Sequence, residues 1–172
     1  MLLRPDSPYP RATSTAGSSV LGPILPGAGP APGAGAAFTA FCLEHGDVYR
    51  RYAAAVTGDP AAGERVVGVA LLELRAQWFT ALRSPAPSAL AWPLLCAATA
   101  ASRTVTMRAL ERALGSRQAD ALVLRHRLGL TPQRAAHVMG MTPAAFELLR
   151  RKALRRVATL PAGAHMPLSD AF

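Results

Sequence analysis

An all-α fold follows from three observations on this 172-residue sequence. Apolar residues recur at three- and four-residue steps from Phe38 onward, aromatics make up only 6% beside abundant Ala, and the hydrophobic fraction is 51%. The steps are those of a helix face, the small side chains suit closely packed helices better than strands, and the apolar content is too high for a wholly disordered chain. The pattern predicts two small helical domains, residues 38–103 and 104–158, the second a helix-turn-helix. A disordered leader, residues 1–37, precedes them and a flexible tail, residues 159–172, follows.

The leader carries seven prolines among Gly, Ala and Ser and almost no charge. Such a segment buries too little apolar surface to offset its ordering entropy. A secretory signal is the competing reading of Val20–Pro26, but prolines break that stretch and no basic cluster precedes it.

Phe38, Phe41, Cys42, His45, Val48, Tyr49, Tyr52 and Val56 form the buried stripe of the first predicted helix. Thr57-Gly-Asp-Pro60 supplies a stop and a restart: Gly58 for a left-handed C-cap, Asp59 for the next N-cap, Pro60 for the first turn. The second helix is expected to run to Phe79, with Val67, Ala70, Leu71, Leu74 and Trp78 on one side. Arg83 and Arg103 bracket nineteen uncharged residues. A membrane span needs about 20 apolar residues, and Pro85, Pro87 and Pro93 cut this one short. A third helix with Trp92, Leu95, Cys96 and Thr99 inward is the better reading, with Pro93 either in its first turn or kinking it. A fourth helix, residues 105–114, buries Leu110 and Leu114. A fifth starts from Ser116 as N-cap, turns Ala119, Leu122, Val123 and His126 inward, and ends near Gly129.

Two elements then open with the same dipeptide, Thr131-Pro132 and Thr142-Pro143, eleven residues apart. Thr caps free N–H groups and Pro occupies the first helical position, so each pair marks a helix start. Met139-Gly140-Met141 joins them. A short helix, a Gly turn and an Arg-rich second helix make a helix-turn-helix, whose second helix lies in the DNA major groove; a plain helical hairpin is the bland alternative.

Charge supports a polyanionic partner, nucleic acid before membrane surface. The net is +9, and only one of the 19 cations is Lys, Lys152. Residues 104–172 alone carry eleven cations against Glu111, Asp120, Glu147 and Asp170, a net of +7. On a wheel of about 100° per residue, Phe146, Leu149, Ala153 and Val157 face inward and Ala144, Glu147, Leu148, Arg151 and Arg155 outward, with Lys152 on the flank. Arg151 and Arg155 suit phosphate or guanine. Glu147 repels the backbone, and part of the Arg cluster near the helix C-terminus also complements the macrodipole.

The run Ala121-Leu-Val-Leu-Arg-His-Arg-Leu-Gly-Leu-Thr-Pro-Gln-Arg-Ala-Ala-His-Val-Met-Gly-Met-Thr142 resembles the C-terminal domain of bacterial RNA polymerase sigma factors of the extracytoplasmic-function type. Tyr52-Ala, Thr57-Gly-Asp59, Glu64, Val66-Val67 and Ala91-Trp92 resemble that family's first domain more loosely, so the similarity covers residues 38–157. The resemblance implies a cytoplasmic transcription factor without cofactor, metal or catalytic site. Its partners would be double-stranded DNA, the RNA polymerase core and a regulatory protein such as an anti-sigma factor, with no membrane. It implies polymerase contacts through Glu64, Val67 and Leu71. The DNA contacts it implies are Thr131, Arg134, Thr142, Ala144, Glu147, Leu148, Arg151, Lys152 and Arg155, with Arg134 and Lys152 on phosphates. Arg65 and Gly68 stand where the family has a second acid and a Gln, Glu147-Leu148-Leu149 replaces a Lys-Ser-Arg run, and the linker after Arg103 is nearly absent. These departures keep two alternatives open: an adaptor that retains the sigma fold without promoter reading, and a dimeric helix-turn-helix repressor.

Cys42-x-x-His45 has half the spacing of a zinc site, but no second Cys pair exists and Cys96 stands alone. Core packing is expected for Cys42 and His45, and structural roles for His126 and His137. No phosphate loop, nucleophile elbow or paired carboxylate appears in the sequence, so no catalytic site is expected.

Overall fold

The structure, a computed structural model, describes residues 33–159. The expected leader up to residue 32, the Val20–Pro26 stretch and the tail from residue 160 lie outside the described residues. Among the described residues every regular element is a helix, and none is long and apolar enough to cross a membrane.

The first helix, α1 (Ala34–Thr57), begins four residues before Phe38, because Ala34-Gly-Ala-Ala37 joins it. It ends as the sequence predicts: Gly58 takes φ 72° and its N–H bonds the Ala54 carbonyl at 2.9 Å. Asp59 then accepts from the Ala61 N–H at 2.9 Å, and Pro60 opens α2 (Pro60–Ala76). A Cβ on Gly63 would lie 2.7 Å from the Ala54 nitrogen, so the crossing of α1 and α2 depends on the missing side chain.

The second helix stops three residues earlier than its apolar stripe suggests. The chain breaks at Gln77, and Trp78 starts a separate turn of helix, α3 (Trp78–Leu82), that keeps the indole in the core. In α4 (Ser88–Thr99) Pro93 sits inside the helix, beyond its first turn. A short 3-10 turn (Ala100–Ser102) leads to α5 (Val105–Leu114), capped by the Thr104 hydroxyl, which accepts from the Met107 N–H at 3.1 Å. Ser116 is not a cap: Gly115 holds that position without a side-chain bond, and Ser116 is the first residue of α6 (Ser116–Leu122). The chain then widens into a π-helical turn (Val123–Arg127) closed by the Leu128 N–H on the Val123 carbonyl at 3.0 Å. The extra residue rotates His126 to the surface, where an inward position was expected. α7 (Pro132–Val138) and α8 (Pro143–Ala158) follow.

Tyr49, Tyr52, Leu74 and Leu95 from α1, α2 and α4 belong to the same buried cluster as Leu110, Leu114, Leu122 and Phe146 from later helices. A polar group links the segments expected as separate domains. The Tyr52 hydroxyl donates to Asp120 Oδ1 at 2.5 Å. Buried Arg103 pairs with Glu111, lies 3.7 Å from Asp120 Oδ1, and donates to the Tyr52 hydroxyl at 3.2 Å and the Thr99 hydroxyl at 3.3 Å. Burial pushes the Asp120 carboxyl up, while the Tyr52 bond and the Arg103 charge oppose that shift. A charge this far from water persists only when paired and hydrogen-bonded, so the cluster fixes how α1, α5 and α6 meet.

Candidate nucleic-acid interface

α7 and α8 start as their dipeptides predict. The Thr131 hydroxyl accepts from the Arg134 N–H and the Thr142 hydroxyl from the Ala145 N–H, each at 3.2 Å. The turn between them closes with the Met141 N–H on the Ala136 carbonyl at 3.0 Å. Gly140 takes φ 65°, and a Cβ there would lie 2.1 Å from the Ala89 nitrogen, so the turn presses directly on the start of α4. Ala135, Ala136, Val138 and Met139 are buried beneath it, and Phe146 and Ala153 fill the inner side of α8. Leu149 and Val157, also expected inward, are half-buried against the same core.

The outward side of α8 agrees with the helical wheel except at Glu147, which is half-buried. Ala144, Leu148, Arg151, Lys152 and Arg155 are exposed, with Leu148 at 53% and the Arg151 side chain at 71%. Arg150 donates to both Glu147 carboxylate oxygens at 3.0–3.3 Å. That bond chiefly holds the Glu147 carboxyl below its usual range, with Arg151, 3.9 Å away, adding to the effect. Glu147 is thereby half-buried and turned toward its own helix. Arg156 donates to the Leu114 carbonyl at 2.9 Å, satisfying the C-terminal end of α5. Among the described residues, Lys152 and Arg155 take part in no ion pair. Three exposed cations, Arg151, Lys152 and Arg155, are thus left along the outer side.

α7 differs. Arg134, expected on a phosphate, donates to the Glu44 carbonyl at 2.6 Å and lies 3.7 Å from its carboxylate. His137 Nε2 sits 2.8 Å from Glu44 Oε1, the interaction that most lowers the Glu44 pKa. The Ser88 hydroxyl donates to the His137 carbonyl at 2.7 Å, and the Tyr49 hydroxyl reaches the Val138 carbonyl at 3.4 Å. Arg134 is therefore engaged with α1, and of the residues expected at DNA in or capping α7 Thr131 is exposed and Arg134 half-buried. Nothing in the sequence pointed to Glu44, which lies 90 residues from Arg134.

The three residues expected to meet polymerase do not share one environment. Glu64 is exposed and pairs with Arg50 at 3.2 Å, and Leu71 is half-buried. Val67 is 2% exposed and faces the core, so it cannot touch a partner directly. The neighbouring exposed apolar side chains are Val69 and Leu72. Elsewhere, His45 is buried as expected and Cys42 is half-buried, with its thiol pKa raised by burial. His137, expected in a structural role, has the Glu44 carboxylate beside it. Compared with models of known protein families, with curated proteins and with solved structures, the chain finds no match in any of the three.

Proposed function

We propose that the chain is a sigma-like, DNA-binding transcription factor of the cytoplasm that associates with RNA polymerase and reads a promoter element through α8. The observation that carries this reading is the set of exposed cations Arg151, Lys152 and Arg155 on the outer side of a capped helix whose inner side buries Phe146 and Ala153. Thr142 and Ala144, at the start of that helix, would approach the base edges, and the three cations would meet phosphates or guanine. Polymerase contact would use Glu64 and Leu71 together with exposed Val69 and Leu72. The test is binding to duplex DNA across a salt series: log affinity should fall with log salt by about 0.9 for each phosphate neutralised. Salt-independent binding, or none, rejects the reading. Co-purification of polymerase from nuclease-treated lysate tests the second half of the proposal.

A second reading, an adaptor with the same fold, rests on Leu148. This side chain is 53% exposed beside Glu147, a pairing better suited to a protein partner than to a major groove. A stoichiometric protein partner retained without DNA affinity would favour it.

A further inference from the structure

Glu44 and His45 of α1 face His137 of α7 at the edge of a cleft of about 320 Å³ that is also lined by Phe41, Trp78 and Ser88. One donor atom from each of Glu44, His45 and His137 lies within 4.8 Å of the others. The two imidazole rings stack with centroids 4.8 Å apart, and His137 Nε2 is 2.8 Å from Glu44 Oε1.

His45 is the informative member. Its Nδ1 lies 3.3 Å from the Phe41 carbonyl, which can only accept, so the proton belongs on Nδ1. That leaves a lone pair on Nε2, which is buried and has no hydrogen-bond partner among the described residues. An imidazole that donates one N–H to a backbone carbonyl and presents its other nitrogen unprotonated is the arrangement metal-bound histidines adopt.

We propose that Glu44, His45 and His137 form a binding site for a divalent ion of the zinc type, which clamps α7 onto α1. Two imidazoles and one carboxylate suit zinc and its neighbours rather than magnesium or calcium, and three protein ligands leave one position for water. The opposing charge is Arg134, whose guanidinium lies 3.7 Å from Glu44 Oε1. The metal takes that oxygen, while Arg134 keeps its bond to the Glu44 carbonyl. The sequence hid the site because its ligands come from residues 44, 45 and 137, on helices that meet only in the fold. The site stands independently of the DNA-binding reading.

The experiment uses the full chain stripped of metal by a chelator, titrated with Zn2+ by calorimetry and with Co2+ by visible absorption. One equivalent should bind, with the intense visible bands of a low-coordinate cobalt ion, and Zn2+ but not Mg2+ should raise the melting temperature. His137→Ala and Glu44→Gln change exposed side chains and should leave the far-ultraviolet circular dichroism intact while weakening binding by about tenfold or more. His45→Phe, which keeps a stacked ring without a ligand atom, should do the same. Binding that survives His137→Ala and Glu44→Gln unchanged, or that disappears instead with His126→Ala or His165→Ala, overturns the proposal, as does the absence of Zn2+ binding by the intact chain.

Discussion

α7 and α8 both open with Thr-Pro, and in both the Thr hydroxyl accepts a first-turn N–H at 3.2 Å. Beyond that turn their circumstances diverge. α7 is seven residues long and is held along its length by Glu44, Ser88 and Tyr49 from α1 and α4. The sixteen residues of α8 bury Phe146 and Ala153 and leave Arg151, Lys152 and Arg155 in solvent. Capping chemistry therefore says where a helix starts, whereas the side it shows to solvent is decided by elements remote in sequence.

The buried polar group joining α1, α5 and α6 offers the largest test of this contrast. Removing one partner from a buried ion pair leaves the other charge without compensation, at a cost of about 3–5 kcal/mol. Arg103→Ala should destabilise the chain by that much in urea melts, because Asp120 and Glu111 would both lose their cation. Arg155→Ala, on the open side of α8, should stay within about 0.5 kcal/mol of the parent. Equal losses for the two variants would mean that the outer side of α8 is packed rather than open.

Gly140→Ala should come next. The added methyl must displace the Ala89 backbone, and the residue must hold φ 65°. Overpacking costs about 1–3 kcal/mol, to which the left-handed backbone adds roughly 1 kcal/mol. Thermal melts check the sum. A near-neutral result would show that the turn does not press on α4.

These two positions also show what the sequence made legible. Gly140 was visible as a turn residue, and Thr57–Pro60, Thr131-Pro132 and Thr142-Pro143 were visible as caps, because each acts within four residues of itself. Helical period alone placed Phe146 and Ala153 inside α8 and Leu148, Arg151 and Arg155 outside, but left Glu147, Leu149 and Val157 at the half-buried margin. The role of Arg103 was hidden, since its partners Asp120, Glu111 and Tyr52 lie on three other segments. The break at Gln77 and the π turn at Val123–Arg127 were hidden too. In both places the chain abandons helical periodicity to keep Trp78 and Leu124 in the core. Val67 is buried where the resemblance implies a partner contact, because resemblance transfers a position without its burial.

On the open side, the double variant Arg151→Ala with Arg155→Ala should lose duplex DNA affinity by about 1–3 kcal/mol, which is roughly five- to 160-fold at moderate salt, and its log–log salt slope should fall by about 2. Fluorescence anisotropy at several salt concentrations checks both quantities. An unchanged slope with reduced affinity would assign these residues to shape or base contacts instead of phosphates.

Arg134→Ala is the smallest effect and the sharpest comparison between the two helices. Its side chain is 39% exposed, so an approaching duplex could still attract it. Its hydrogen bond to the Glu44 carbonyl, at 2.6 Å, nevertheless ties it to α1. A partly exposed ion pair contributes less than about 1 kcal/mol, so the stability loss should be of that size, and DNA affinity should hold within about twofold. Were the affinity to fall as far as for Arg151→Ala, Arg134 would have to leave Glu44 on binding. α7 would then join α8 at the nucleic acid, and the contrast between the helices would hold for the free chain alone.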